Sequence, residues 1–270
     1  MKTWYLPMTA AGILLIFPLL WMVSTSLKLP GTEFAYPPQL IPSPAVWHNY
    51  VDALAQEPFG LYLRNTLTIT AAATLGSVLT ASLAAFGFAR IRFLGRDVLF
   101  ILLLSTMMLP DIVTLVPKYI LFSKLHWINT FLPLTVPFWF GGGAFNVFLI
   151  RQFFMTLPYD LDEAARMDGA SNLRIYAQLL MPLSVPALAT VVILTAVNNW
   201  NDFLSPLIYL NSPSTFTLAL GLQNYQTLYG TQWAWLMAAS MLMIVPVLVL
   251  FFSFQRFFIE GIQLTGLAGR

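Results

Sequence analysis

Residues 65–89 read NTLTITAAATLGSVLTASLAAFGFA, a run bounded by Arg64 and Arg90 with no charged residue inside it. A helix of roughly 20 residues rises about 30 Å, enough to cross the hydrocarbon core of a bilayer. Backbone amides and carbonyls in lipid must be satisfied within the segment, so a helix is the expected conformation. The same reading applies along the chain. No Asp, Glu, Lys or Arg occurs in residues 3–27, 125–150, 175–201 or 203–255. Together these runs predict an all-α integral membrane protein with six transmembrane helices, near 5–26, 65–89, 98–117, 131–153, 184–208 and 234–257. A single transmembrane domain over 1–270 is expected.

Composition agrees. Of 270 residues, 58% are hydrophobic and 9% charged, and the mean hydropathy is +0.75. Soluble domains carry about 25% charged residues, so this chain lacks the groups to cover a watery surface. Cysteine is absent, which excludes a disulfide framework and thiol chemistry. The first apolar run is longer than a signal-peptide core, and MVSTSLK offers no A-x-A-like cleavage site, so the first helix is expected to be retained. With the N-terminus inside, the inner segments hold Lys2, Arg90, Arg92, Arg96, Arg151, Arg166, Arg174, Arg256 and Arg270. The outer segments hold only Lys28, Arg64, Lys118 and Lys124. That asymmetry predicts both termini on the cytoplasmic side.

The connecting segments differ in character. Residues 27–63 begin proline-rich, as extended or turn structure, and 47–63 read as a short surface helix. Pro110 and Pro117 are expected to bend or end the third span, with Asp111 toward its outer end. Gly141, Gly142 and Gly143 either let a neighbouring helix approach or unwind the fourth span. The segment 209–233 is polar but uncharged.

One short loop concentrates charge. Residues 157–182, LPYDLDEAARMDGASNLRIYAQLLMP, carry Asp160, Asp162, Glu163, Arg166, Asp168 and Arg174. Asp160 followed by Glu163 reads as a capping box, with a two-turn helix over 161–168. Gly169 stands where a left-handed terminating residue belongs. Ser171 is placed to cap a second helix running to Met181 before Pro182. Glu163, Arg166 and Met167 share a face, and Ala164 and Ala165 keep the first helix slim. Carboxylates on such a loop lack the enclosure that tunes acid–base groups. No H-E-x-x-H, G-x-S-x-G or phosphate-binding G-x-x-x-x-G-K-[ST] sequence occurs, so neither catalysis nor ATP hydrolysis by this chain is expected. A docking surface and a solvated structural loop both remain open on these grounds.

Glu163-Ala164-Ala165, then Gly169, then Leu179-Leu180-Met181-Pro182 resembles the EAA loop of membrane subunits of binding-protein-dependent ABC importers. Leu179 and Met181 depart from the usual Ile and Leu of that pattern. RQFFMTLPYDLDEAARMDGAS (151–171), PLSVPALATVVILTAVNNWNDFLSPLIYL (182–210) and the final LMAASMLMIVPVLVLFFSFQRFFIEGIQLTGLAGR are similar to the carbohydrate-uptake branch. Within it they resemble the smaller membrane subunit of the maltose importer, from about residue 60 to the end. The resemblance implies a type I ABC importer permease fold in a bacterial or archaeal cytoplasmic membrane. It implies a coupling helix in which Glu163, Ala164, Ala165, Arg166, Asp168 and Gly169 meet a cytoplasmic ATPase. It also implies a second homologous permease, two ATPase subunits that bind ATP and Mg²⁺, and an external solute-binding protein touching 209–233. No cofactor or metal is expected on this chain itself, and no nucleic acid. The implied solute is a sugar, an oligosaccharide or a glycerol-phosphate-type compound.

In NNWNDF, Asn198, Asn199, Asn201 and Asp202 lie toward the outer end of the fifth span. They are candidates for lining the solute path, against the plainer reading of interhelical hydrogen bonding. An ion-coupled secondary transporter is the alternative class. Such a protein places ionisable groups mid-membrane, and the predicted span centres here hold none.

Overall fold

The structure is a computed structural model. It describes residues 5–227 and 230–267, with side chains to residue 255 other than those of 6 and 227. Lys2, Arg270 and the side chain of Arg256, which enter the charge asymmetry above, lie outside that description. The described chain is mainly helical: α1 (Tyr5–Ser26), α2 (His48–Gln56), α3 (Phe59–Arg90), α4 (Arg96–Ser105) and α5 (Asp111–Lys124), followed by α6 (Leu132–Thr135), α7 (Ala144–Thr156) and α8 (Asp160–Met167). The loop then continues as α9 (Asn172–Arg174), π-helical Ile175–Leu180 and α10 (Met181–Leu183). After it come α11 (Val185–Asn201), α12 (Leu204–Tyr209), α13 (Leu218–Gly221) and α14 (Trp233–Leu267). Two-residue strands at Gln226–Thr227 and Gly230–Thr231 pair antiparallel.

Four helical segments are long and apolar enough to span a membrane: Pro7–Ser26, Phe59–Arg90, Leu132–Thr156 and Trp233–Gln255. Two bent pairs raise the number to six if each counts as one span. Four of the expected spans coincide with these segments, and the third and fifth fall on the bent pairs rather than on single rods. Arg96–Met108 and Asp111–Lys124 meet at 99° across Pro110. Proline disfavours helix in the residue before it, and Leu109 is extended there. Pro117, expected to bend or end the span, sits inside α5. Asn172–Leu183 and Val185–Asn201 meet at 78°. The second span starts earlier than 65, because Glu57 and Pro58 end the surface helix and α3 begins at Phe59. At 1.5 Å per residue α3 is about 48 Å long, well beyond the hydrocarbon thickness.

The chain divides into two compact units. One comprises the chain up to Leu63 with Thr217–Val249. In it, Ala53, Tyr225, Leu236, Ala238 and Ala239 form a core. The Tyr225 hydroxyl donates to the Ala53 carbonyl at 2.6 Å, and Glu33 accepts from the Ala234 amide at the start of α14 at 3.2 Å. Part of the uncharged 209–233 segment is thus anchored, since Leu218–Gly221 is buried and Gly221 lies against the Tyr62 ring with no room for a Cβ.

The other unit comprises Arg64–Phe216 and the chain from Leu250 on. Its core joins Ala81, Ala85 and Phe86 of α3 to Val147, Ile150 and Phe154 of α7, and both to Ile175, Tyr176 and Leu180. The glycine triplet precedes α7. Gly141, Gly142 and Gly143 all have positive φ (100°, 65° and 89°), so the fourth span unwinds between Trp139 and Ala144. At Gly142 the other expectation holds as well, because a Cβ there would collide with the Ser77 carbonyl and Ala81. The freed Gly142 carbonyl is re-satisfied by Ser77 Oγ at 2.6 Å and the Asn146 amide at 2.9 Å, as broken membrane helices require.

Candidate functional site

Two places in the second unit concentrate chemistry: the charged loop and a cavity. In the loop, Tyr159 is already helical (φ −69°, ψ −24°) and takes the cap position, so α8 starts at Asp160, the residue expected to cap it. Asp160 lies within the first turn, no capping side chain acts at Tyr159, and the Asp160–Glu163 capping box does not form. The C-terminal reading holds. Gly169 has φ +80°, its amide donates to the Arg166 carbonyl at 2.9 Å, and Ala170 donates to Ala165 at 2.9 Å. That pair of bonds is a Schellman termination. Ser171 Oγ accepts from the Arg174 amide at 3.3 Å and caps the next helix. That helix passes Met181 and ends at Leu183, its middle π-helical.

Helical periodicity sorts α8 into two faces. Glu163, Ala164, Arg166 and Met167 are exposed, as are Asp168 and Gly169, with Met167 at 88%. Asp162 is fully buried, and Ala165 packs on the core of α3 and α7. The two alanines therefore do different things: Ala164 faces outward and Ala165 faces the protein.

The burial of Asp162 is explained by Arg90, the last residue of α3. Its Nε lies 3.0 Å from Asp162 Oδ2, both side chains almost wholly enclosed. The N–H is not aimed along a hydrogen bond, and neither carboxylate oxygen accepts one from the protein, so the contact is one of charge. The Arg90 Nη2 group donates to the Leu157 carbonyl at 2.9 Å. The Tyr159 ring lies 5.5 Å from the Arg90 guanidinium and 5.7 Å from that of Arg166. Burial pushes the Asp162 carboxyl above its usual range, and Arg90 and Arg166 offset only part of that. Sequence reading did not find this pair. The available signal was that Asp162 is three residues before Ala165 and off the Glu163 face.

The cavity has a volume of about 800 Å³ and lies among α5, α7, α11 and α12. Asn198, Asn199 and Asp202, three of the four path candidates, line it. Asn201 does not. It is exposed and its amide donates to the Val197 carbonyl at 2.9 Å. Asp111 and Asn146, neither singled out as a path residue in the sequence, line the cavity too. Asn146 also reaches Ser77 Oγ at 2.9 Å and Thr195 Oγ1 at 3.2 Å, tying the unwound glycines to α3 and α11. Among the described residues no three His, Cys, Asp or Glu come together as metal ligands would.

A mainly helical chain with several apolar segments, some bent or unwound, and a cavity between helices that carries polar groups defines a multi-pass membrane protein of the transporter kind. Comparison with known proteins carries this further. Residues 58–263 match the family described as "Binding-protein-dependent transport system inner membrane component". The chain is 34% identical over 260 residues to the arabinooligosaccharides transport system permease protein AraQ of Halalkalibacterium halodurans, covering 94% of this chain and 91% of that one. It is 33% identical over 264 residues to the sn-glycerol-3-phosphate transport system permease protein UgpE of Yersinia enterocolitica, covering 94% and 93%. A chain of the crystal structure of a bacterial ABC transporter importing the acidic polysaccharide alginate superposes with a TM-score of 0.83 at 22% identity, covering 94% of each. At that identity the likeness speaks for the fold.

The chain belongs to the binding-protein-dependent transport system inner membrane component family, the permeases of ABC importers, and the relatives named are permeases for arabinooligosaccharides and for sn-glycerol 3-phosphate. Its fold is that of a type I importer permease.

Proposed function

We propose that this chain is one of two homologous permease subunits of an ATP-driven, binding-protein-dependent carbohydrate importer. The cavity among α5, α7, α11 and α12 forms part of the solute path, and α8 is the coupling helix. The observation that carries this is the two-faced build of α8. One face, with Glu163, Ala164, Arg166 and Met167, is free for a partner, while the other is fixed through Asp162 and Ala165. A short helix held in this way transmits a push, because its base cannot tilt without breaking a buried charge contact.

In this reading two cytoplasmic ATPase subunits bind ATP and Mg²⁺, and their closure moves α8. The membrane helices follow, and the solute site alternates between the two sides. Both chain termini lie in the cytoplasm and the protein resides in the inner membrane. An external solute-binding protein delivers the sugar to the opposite face, where residues of 209–233 meet it. The family's printed description supports dependence on such a protein.

Reconstituted vesicles with the partner subunits test the proposal. Uptake should require internal-facing ATP, stop with vanadate and survive collapse of ion gradients. Uptake driven by a proton or sodium gradient without ATP would instead favour ion coupling, for which Asp111 and Asp202 at the cavity would be the candidate groups.

A further inference from the structure

The relatives named above include permeases for neutral oligosaccharides and for a phosphate ester, so the charge of the solute is an open property of this chain. The cavity lining speaks to it. The lining holds two carboxylates, Asp111 and Asp202, and one ammonium, Lys118, and no Arg or His contributes. Lys118 Nζ lies 3.8 Å from Asp111 Oδ1, so the cation is already turned toward a carboxylate. Asp202 has no such neighbour in the lining. Its Oδ1 accepts from the Ser205 amide at 3.1 Å, which orients the group at the junction of α11 and α12.

A carboxylate offers about four acceptor sites. With one used by Ser205, Asp202 retains capacity for solute hydroxyls. The amides of Asn198 and Asn199 and the hydroxyl of Thr195 stand on the same stretch of α11. These groups donate and accept, as the hydroxyls of a sugar do. Phe138 and Phe145 supply apolar surface for the carbon faces of a pyranose or furanose ring. The volume, about 800 Å³, is that of a small-molecule site. An anionic solute in the same place would meet two carboxylates against one ammonium, and like charges across a site act as a rejection device.

We propose that this cavity takes an uncharged polyhydroxylated solute and turns away phosphorylated or uronic ones, with Asp202 as the specificity-determining group. This rests on the cavity being part of the solute path.

The chain's lack of cysteine makes the charge of the cavity measurable. In the assembled transporter, Asn198→Cys is modified with cationic and anionic methanethiosulfonate reagents. Rates are read from the mass of this chain and normalised to a free thiol. The cationic reagent should be favoured at least 10-fold, and Asp202→Asn should reduce that preference several-fold. Asp111→Asn, on an exposed side chain, repeats the test should Asp202→Asn fail to assemble. Equal or faster reaction of the anionic reagent overturns the proposal.

In a second arm, arabinotriose, a uronate trisaccharide and sn-glycerol 3-phosphate compete with modification. Protection by the neutral sugar at concentrations where the two anions give none supports the proposal. Protection by either anion at equal or lower concentration, or none by the neutral sugar, overturns it. The underlying path reading fails separately. If a bulky maleimide on Asn198→Cys leaves ATP-driven uptake of the neutral probe unchanged, the cavity is not on the path, whatever its charge.

Discussion

Replacing Asp162 with asparagine removes one charge from a pair that the fold encloses almost completely. At 3.0 Å and an effective dielectric of about 20, the attraction is about 5.5 kcal/mol. Taking both groups out of water offsets most of this, which is why a buried pair contributes little net stability compared with apolar residues of the same volume. Losing one partner is different, because the Arg90 guanidinium stays buried and uncompensated. The expected cost is about 3–5 kcal/mol. SDS titration of the purified chain, followed by circular dichroism, measures it. The double substitution Arg90→Met with Asp162→Leu should recover most of the loss.

If Asp162→Asn unfolds within about 0.5 kcal/mol of the native chain, the usual scatter of surface substitutions, the clamp between α3 and α8 does not bear on stability and the reasoning fails.

Three further substitutions test neighbouring claims. Gly169→Val should cost about 1–2 kcal/mol from the left-handed backbone and uncouple ATP hydrolysis from uptake; normal ATPase co-purification with intact transport would contradict this. Gly142→Ala adds overpacking against Ser77 and Ala81, about 1–3 kcal/mol, to the same backbone term, and a shift of at least about 2 kcal/mol in the SDS midpoint is expected. Asn199→Leu should slow uptake while Asn201→Leu leaves it unchanged, and equal effects of the two would detach the cavity from the path.

The sequence made the spans visible because charge is so sparse that its gaps outline them, and 65–89 falls wholly inside α3. Gly169 and Ser171 were legible for a related reason: local backbone chemistry dictates their residue types. The capping box failed because Pro158 already leads Tyr159 into helix, a choice settled one residue before the motif begins. Arg90 and Asp162 were beyond reach, since nothing local says that the end of one helix will bury against a helix more than seventy residues later. The cavity shows the same division. Asn198, Asn199 and Asp202 were visible as polar residues in an apolar run. Asn146 and Asp111 reach the site only through the unwound glycines and the 99° bend at Pro110.

The central claim is that the exposed face of α8 meets an ATPase. A photo-crosslinking benzoylphenylalanine in place of Met167, the more exposed of that helix's two large apolar side chains, tests it directly in cells that express the whole transporter. The account predicts an adduct with the ATPase subunit at position 167 and none with it from the exposed Gln223 in the 209–233 segment. An intact, transporting complex in which position 167 gives no ATPase adduct, or in which Gln223 gives one, would contradict it.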